Sequence, residues 1–481
     1  MDSFPAYIAI AIFIIVGTGI ALFAKRFLKS EPSDFYTAGG RFGTILAALS
    51  YAKTTYSAFM FIGLVGLVYA TGVGGFGFEL VYFIGTLFLL TFLAPKYWSL
   101  HNKYGYISPV EILSDRYGSR VVGTVVTLLA LVSLIPYISA QVIGVAVAAQ
   151  GSSGGAIPYV VGVAIAIGVA LLWVVIAGIW SVGWTDVFQG LVMIVAAFII
   201  VIWVYIWGFG STGFDMGTLG ALSYVPNQTW SFPFFLNFTL PWFFFAIINP
   251  QVVQRIFAPK NKRALNGMIV WFGVFGIIIT VLVTFLGLML KGLSLNGMFP
   301  TIVAANRDSV TPTLLGIAPT WLSVIGLLAV LAASVSIIDG IILTLSSMTV
   351  RDVLEAYRPS SSKRLGLVAG RGVILAMALS CAVFALARPG FIVNLSVLSA
   401  SLLLPQAPIV LGMFLWKKGG KCSAVLAVVS GFAVAVTLYL MNISPLGIPA
   451  NVWTLAVASV AYISTALIEK PPATIEKFTG V

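Results

Sequence analysis

The chain has 481 residues, 60% of them hydrophobic and only 8% charged, with a mean hydropathy of +1.07. Soluble chains carry roughly 25% charged residues, so this composition excludes a string of soluble domains and leaves a polytopic membrane protein. The formal net charge of +12 needs no nucleic-acid partner, because basic loops collect beside the anionic lipid of the cytoplasmic leaflet.

Thirteen apolar segments, numbered 0 to 12, lie near 5–25, 42–71, 74–96, 121–148, 156–179, 184–207, 231–252, 266–291, 317–348, 371–388, 391–416, 422–441 and 451–468. Each is long enough for a helix, and none has the short alternating pattern of a membrane β-barrel. An all-α fold of about 13 transmembrane helices is expected. Segment 0 has no basic residue before it and no small-residue cleavage site after it, so it reads as a retained span. Cys381 and Cys422 fall on opposite sides of a helical hairpin, which argues against a disulfide.

Basic residues set the orientation. Alternate connections and the tail hold 22 of the 26 lysines and arginines, among them Arg41, Arg116, Arg255 and Arg351. Lys291, Arg307 and Arg388 lie on the opposite face, and Lys53 lies within a span. The positive-inside bias predicts a multi-pass plasma-membrane protein with its N-terminus outside and its C-terminus in the cytoplasm.

Segments 1 and 8 are too long for straight spans, and small and polar residues interrupt both. Segment 1 holds Ser50 to Ser57, then Gly63 and Gly66; segment 8 holds Ser334, Ser336, Asp339, Gly340, Ser346 and Ser347. Unpaired backbone costs several kcal/mol in lipid, so breaks are expected in both segments, around a protein-lined cavity. Segments 1–5 and 6–10 start on opposite faces. This suggests a five-plus-five inverted repeat, 42–207 and 231–416. Around it lie an extra helix and loop (1–41), an extracellular loop (208–230) and two further helices with a short tail (417–481).

Four ionisable residues fall inside spans: Lys53, Glu79, Asp186 and Asp339. Such groups cost roughly 2.5–3.5 kcal/mol near mid-bilayer, which marks them as functional positions. Glu79 is near the outer end of segment 2 and Asp186 near the inner end of segment 5, so both have a route to water. Asp339 is placed for gating or a proton relay beside a cytoplasmic vestibule. Lys53 lies about twelve residues into segment 1, or ~18 Å along it, too deep for easy snorkelling. A buried ammonium needs a carboxylate partner or loses its proton, an alternation suited to a proton-coupled carrier. Asp186 and Asp339 are both candidate partners.

No enzyme is expected: His101 is the sole histidine, and no metal cluster or catalytic carboxylate pair is visible. No cofactor is implied. A channel would repeat a pore element and a sensor would carry a signalling domain, and neither pattern is present.

Motifs in chain order point to a family. They are Asp34-Phe-Tyr-Thr-Ala-Gly-Gly-Arg41, Ser57-Ala with Phe61-Ile-Gly-Leu-Val-Gly66, Ser108-Pro-Val-Glu-Ile-Leu with Asp115-Arg-Tyr-Gly118, Trp184-Thr-Asp-Val-Phe-Gln189, Gln254-Arg-Ile-Phe-Ala258, and Ser346-Ser347 with Arg351-Asp352. The chain resembles the sodium:solute symporter family, with the leucine-transporter-type fold. The resemblance implies a solute carried with a cation by alternating access. It also implies a sodium site of two segment-1 carbonyls, one segment-8 carbonyl and two segment-8 hydroxyls, beside a segment-5 aspartate. These positions fall on Lys53 and Tyr56, on Ala333, Ser336 and Ile337, and on Asp186.

Two positions depart from the family pattern. Ile337 stands where a hydroxyl is expected, and Lys53 where a small residue is usual. Two like charges 4 Å apart repel by about 4 kcal/mol at an effective dielectric of 20, so sodium and a Lys53 ammonium exclude one another. The expectation is that the ammonium replaces the ion, opposite Asp186, and that H+ rather than Na+ is coupled, or nothing is.

The resemblance places the solute between the breaks of segments 1 and 6 and the face of segment 3. Glu79 matches a glutamate of the family's sugar carriers, but Met60 stands where they have a glutamine. Thr54-Thr55-Tyr56-Ser57-Ala58 and Ile135-Pro-Tyr137-Ile-Ser-Ala-Gln141 are similar to the monocarboxylate-permease branch. A small carboxylate is therefore expected, with small amino acids open. Tyr56, Phe59, Tyr137, Trp242 and Phe245 are candidate lining residues. Lys53 has a rival role as the carboxylate's anchor.

Overall fold

The computed structural model describes residues 4–29, 31–210, 213–358 and 363–478. Among them every regular element is helical. Among the described residues eleven helices are long and apolar enough to cross a membrane, and a twelfth span is made by two half-helices bent by 48°. In chain order the first elements are α1 (Phe4–Lys25), the half-helices α2 (Thr44–Thr55) and α3 (Phe59–Thr71), α4 (Gly74–Tyr104) and α5 (Arg120–Ser152). Then come α6 (Tyr159–Ala177) and α7 (Ile179–Phe209). Segment 6 is three short pieces, α8 (Phe232–Phe243), α9 (Phe245–Ile248) and α10 (Pro250–Arg255). The rest are α11 (Lys262–Leu295), α12 (Thr320–Met348), α13 (Lys363–Leu386), α14 (Ile392–Leu415), α15 (Lys421–Met441) and α16 (Ala450–Ile468).

The breaks explain themselves through their hydrogen bonds. Tyr56 ends α2 in an extended conformation, φ −105° and ψ 124°, which frees backbone groups in a dry interior. Side chains from neighbouring spans take them up. Tyr82 donates to the Thr55 carbonyl at 3.0 Å, and Gln141 Oε1 accepts from the Ala58 N–H at 3.0 Å. Ser57 Oγ accepts from the Phe59 N–H at 3.2 Å. In lipid such partners are obligatory. Segment 6 carries Pro241 inside α8, breaks at Phe244, and breaks again at Asn249, which is extended before Pro250 opens α10.

Segment 8 corrects the reading from its composition. It is not broken: α12 runs unbroken for 29 residues and continues as a π-turn over Thr349–Glu355. Its polar residues do not open the helix, because several bond back within it. Ser334 donates to the Val330 carbonyl at 2.7 Å and Thr344 to that of Gly340 at 2.8 Å. Its small residues instead let α12 pack closely on α5 and α7. The breaks that do occur are in segments 1 and 6, the first of each group of five.

Both cysteines are free, Cys381 buried and Cys422 exposed.

Candidate functional site

Spans 1, 5, 6 and 8 meet around four buried charged side chains. Lys53, on the last turn of α2, has no exposed surface. Its Nζ lies 3.4 Å from Met193 Sδ, and its stem lies beside Gly190 of α7. Asp186, also on α7, accepts from Ser50 Oγ at 2.7 Å through one oxygen and from Ser336 Oγ at 2.7 Å through the other. Arg255 Nη2 stands 3.9 Å from Asp186 Oδ2, and Arg255 Nε donates to Thr54 Oγ1 at 2.9 Å. Asp339 is fully buried, and neither of its oxygens has a side-chain hydrogen-bond partner among the described residues. Two cations and two carboxylates thus form a formally neutral set, as burial of charge requires.

This geometry corrects the expected pairing of Lys53 with Asp186. Among the described residues Lys53 makes no ion pair within 4 Å, although both aspartates lie within electrostatic range. Two hydroxyls hold the Asp186 oxygens, and the guanidinium of Arg255 reaches them from the basic face. Arg255 is the residue that sequence reasoning missed, because it was counted among the basic connections. A signal was available: its neighbours Val252, Val253, Ile256 and Phe257 are apolar, and all are buried. A solvated arginine would sit among polar residues.

Of the positions matched to the family's ion site, Ser336 touches Asp186, and Ala333 and Ile337 are buried on the same helix. Tyr56 turns away. Its ring stacks on Phe272 of α11 at 5.9 Å, and its hydroxyl faces Gly276 of the same helix.

The candidate solute residues divide into two groups. Phe59, Tyr137, Trp242 and Phe245 come together with Tyr82 in a buried aromatic cluster. Trp242 lies 5.1 Å from Phe245, 4.9 Å from Tyr82, 5.5 Å from Phe59 and 6.3 Å from Tyr137, between ring centroids. Met60 is buried beside it on α3. The polar candidates are largely engaged elsewhere: the Thr54 and Thr55 hydroxyls donate to the Ser50 and Tyr51 carbonyls, and Ser57 and Gln141 serve the break. Glu79 is the exception. It has no exposed surface, so it does not reach water as its place near a helix end suggested. Neither of its oxygens has a partner among the described residues, and it lies within electrostatic range of the Tyr56, Tyr82 and Tyr137 hydroxyls.

A broken first span, a broken sixth span and a buried charged site between them are the parts of an ion-coupled carrier. The family model described as "Sodium:solute symporter family" matches residues 35–431. The chain belongs to the sodium:solute symporter family. It is a cation-coupled symporter by that membership. A sodium/pantothenate symporter of Escherichia coli is 24% identical over 463 residues, covering 94% of each chain. A monocarboxylate transport permease of Rhizobium johnstonii is 30% identical over 143 residues, 28% of this chain and 29% of that one. The structure of a Na+-coupled sialic acid symporter superposes with a TM-score of 0.80 at 18% identity, covering 97% of this symporter and 98% of that one. Identity that low carries the shared fold and nothing about the solute.

Proposed function

We propose that this symporter moves a small organic carboxylate inward, with the Lys53 ammonium standing where relatives hold sodium and a proton as the coupled ion. The basic connections and the C-terminus face the cytoplasm, and the N-terminus faces outside. The observation that carries the reading is the buried Lys53 amine, with a thioether rather than a carboxylate against its nitrogen. Sodium prefers hard oxygen ligands. Here one hydroxyl position is Ile337, and the hydroxyl of Ser336 is bonded to Asp186. A neutral amine tolerates this environment, and an ammonium would turn towards the aspartates. One site can then hold or release a charge without a metal.

The carboxylate is supported by the names of two relatives, one for pantothenate and one for monocarboxylates, and pantothenate is itself a carboxylate. The unpartnered Glu79 oxygens beside the aromatic cluster favour a solute that also offers a hydrogen-bond donor, because a buried acceptor without a partner is costly.

The competing reading is sodium coupling, favoured by the near full-length relative named for sodium. Purified protein in liposomes separates the two. Uptake of small carboxylates is expected to follow an inward proton gradient at fixed sodium, and Lys53→Met is expected to abolish that response. Uptake that requires a sodium gradient and ignores the proton gradient overturns the proposal.

A further inference from the structure

We propose that Arg255 is the bolt of the cytoplasmic gate, a positioning residue that must release spans 1 and 5 before the solute can leave inward. The inference goes beyond the function proposed above and holds whichever cation is coupled.

Arg255 is the last residue of α10, and only 2% of it is exposed. Its Nε is held by Thr54 of α2 at 2.9 Å, and its Nη2 stands 3.9 Å from Asp186 of α7. Nη2 also lies 3.1 Å from the place that a Cβ at Gly340 of α12 would occupy. A larger residue at 340 would push the guanidinium off Asp186. One side chain on the last piece of span 6 therefore touches spans 1, 5 and 8 together.

The neighbouring Gln254 marks this as the closed arrangement. Thr344 donates to Gln254 Oε1 at 2.6 Å, and Gln254 Nε2 donates to Ser347 Oγ at 2.9 Å and to the Ile107 carbonyl at 3.4 Å. These bonds seal α10 against α12 and the loop after α4. Arg255 sits one residue away and carries the seal to α2 and α7.

The bonding is loose enough to be undone. Among the described residues neither Nη1 nor Nη2 has a hydrogen-bond acceptor, so the guanidinium holds Asp186 by charge rather than by the two-pronged bond arginine can form. When the inner side opens, water satisfies those donors, which offsets the lost contact. A lysine would keep the charge but could not reach Thr54 and Asp186 together in the same plane.

The test reads access rather than transport. In protein lacking its native thiols (Cys381→Ser, Cys422→Ser), Ala333→Cys places a reporter on α12. It is seven residues, or about 10 Å, beyond Gly340 from the cytoplasmic side. A membrane-impermeant thiol reagent is applied to inside-out and to right-side-out vesicles. Arg255→Gln is expected to speed labelling of that thiol at least tenfold from the cytoplasmic face alone. Thr54→Val, which removes the Nε bond together with the hydroxyl's own bond to the Ser50 carbonyl, and Arg255→Lys should fall between it and the parent. If Arg255→Gln does not insert, Thr54→Val and Arg255→Lys decide. Rates within twofold of the parent in all variants overturn the proposal, as does faster labelling from both faces, which marks general loosening. The labelling needs no solute or ion gradient, so a failed bolt and a failed proton-coupling reading give different results.

Discussion

Asp308→Asn tests whether the connection between spans 7 and 8 is held by a buried carboxylate. Asp308 lies in the turn Ala304–Ser309, and its Oδ2 accepts from the Ile392 N–H at 2.8 Å. Ile392 opens α14, whose own N-cap, Phe391, has no capping side chain. The carboxylate therefore serves as that helix's cap from a distant part of the chain. Its other oxygen is buried without a partner. Burial pushes the Asp308 carboxyl up from 3.8 to about 6, against the smaller opposing pulls of the Ile392 N–H and the Arg307 guanidinium. Arg307 is itself held by Asn394 at 2.8 Å and lies over the Phe391 ring at 4.4 Å. Arg388 borders the same cavity of about 680 Å³.

The sign follows from where the proton binds more tightly. Between pH 3.8 and about 6 the native carboxyl keeps a proton that the unfolded chain has lost. This contribution is therefore greatest below 3.8 and declines as pH rises through about 6. A tenfold change in proton affinity is worth about 1.4 kcal/mol, so the ceiling is ~3 kcal/mol. Asparagine keeps an acceptor for Ile392 and removes the charge. Melting in detergent at pH 4.5, 6 and 7.5 should show the parent losing more stability across the range than Asp308→Asn. The variant should be at least as stable as the parent at pH 7.5. Parallel pH profiles, or a variant weaker at pH 7.5, would refute the reasoning.

Other contacts give shorter tests. A Cβ at Gly66 would lie 2.2 Å from the Arg307 carbonyl, so Gly66→Val should unseat that connection at a cost of ~1–3 kcal/mol, read as lower melting and slower uptake. Gln141→Leu leaves the Ala58 N–H unpaired inside the break, a loss of ~1–3 kcal/mol, whereas Gln141→Glu keeps the acceptor and should melt closer to the parent. Lys477 pairs with Asp115 at 2.8 Å with side chains 39% and 23% exposed. Lys477→Ala should change stability by ~0–1 kcal/mol, and a larger drop in melting would show that the tail holds the loop by more than this pair.

How much of this was legible in the sequence depends on how far each feature reaches along the chain. Spans are local: an apolar run declares itself, and thirteen such runs resolve into eleven whole helices, one bent pair and one span in three pieces. Lys53 was legible for the same reason, since a lone ammonium deep in an apolar run contradicts its surroundings. The unbroken segment 8 was not. Ser334 and Ser347 look like breakers in composition, yet their hydroxyls bond to carbonyls of their own helix. Whether a serine opens a helix or rests against it depends on what faces it. Asp308 was equally hidden, because a polar turn gives no hint that its carboxylate caps a helix 84 residues further on.

The partner of Asp186 shows where the limit lies in physical terms. For this set, leaving Glu79 aside, the sequence supplies two carboxylates, Asp186 and Asp339, and one ammonium, Lys53, and electrostatics then favours the nearest opposite charges. The missing number was the fourth charge. Arg255 lies at the end of a broken span, where a basic residue ordinarily meets water, and only the return of α10 beneath α2 buries it. With three charges the site carries a net negative charge and Lys53 has to remain an ammonium. With four, the two aspartates and Arg255 leave one negative charge that Lys53 can balance or, after losing its proton, leave open. Under the proton coupling proposed above, Arg255 serves as the fixed charge, since it does not give up its own proton at physiological pH. It leaves Lys53 as the basic group of the set that can lose one.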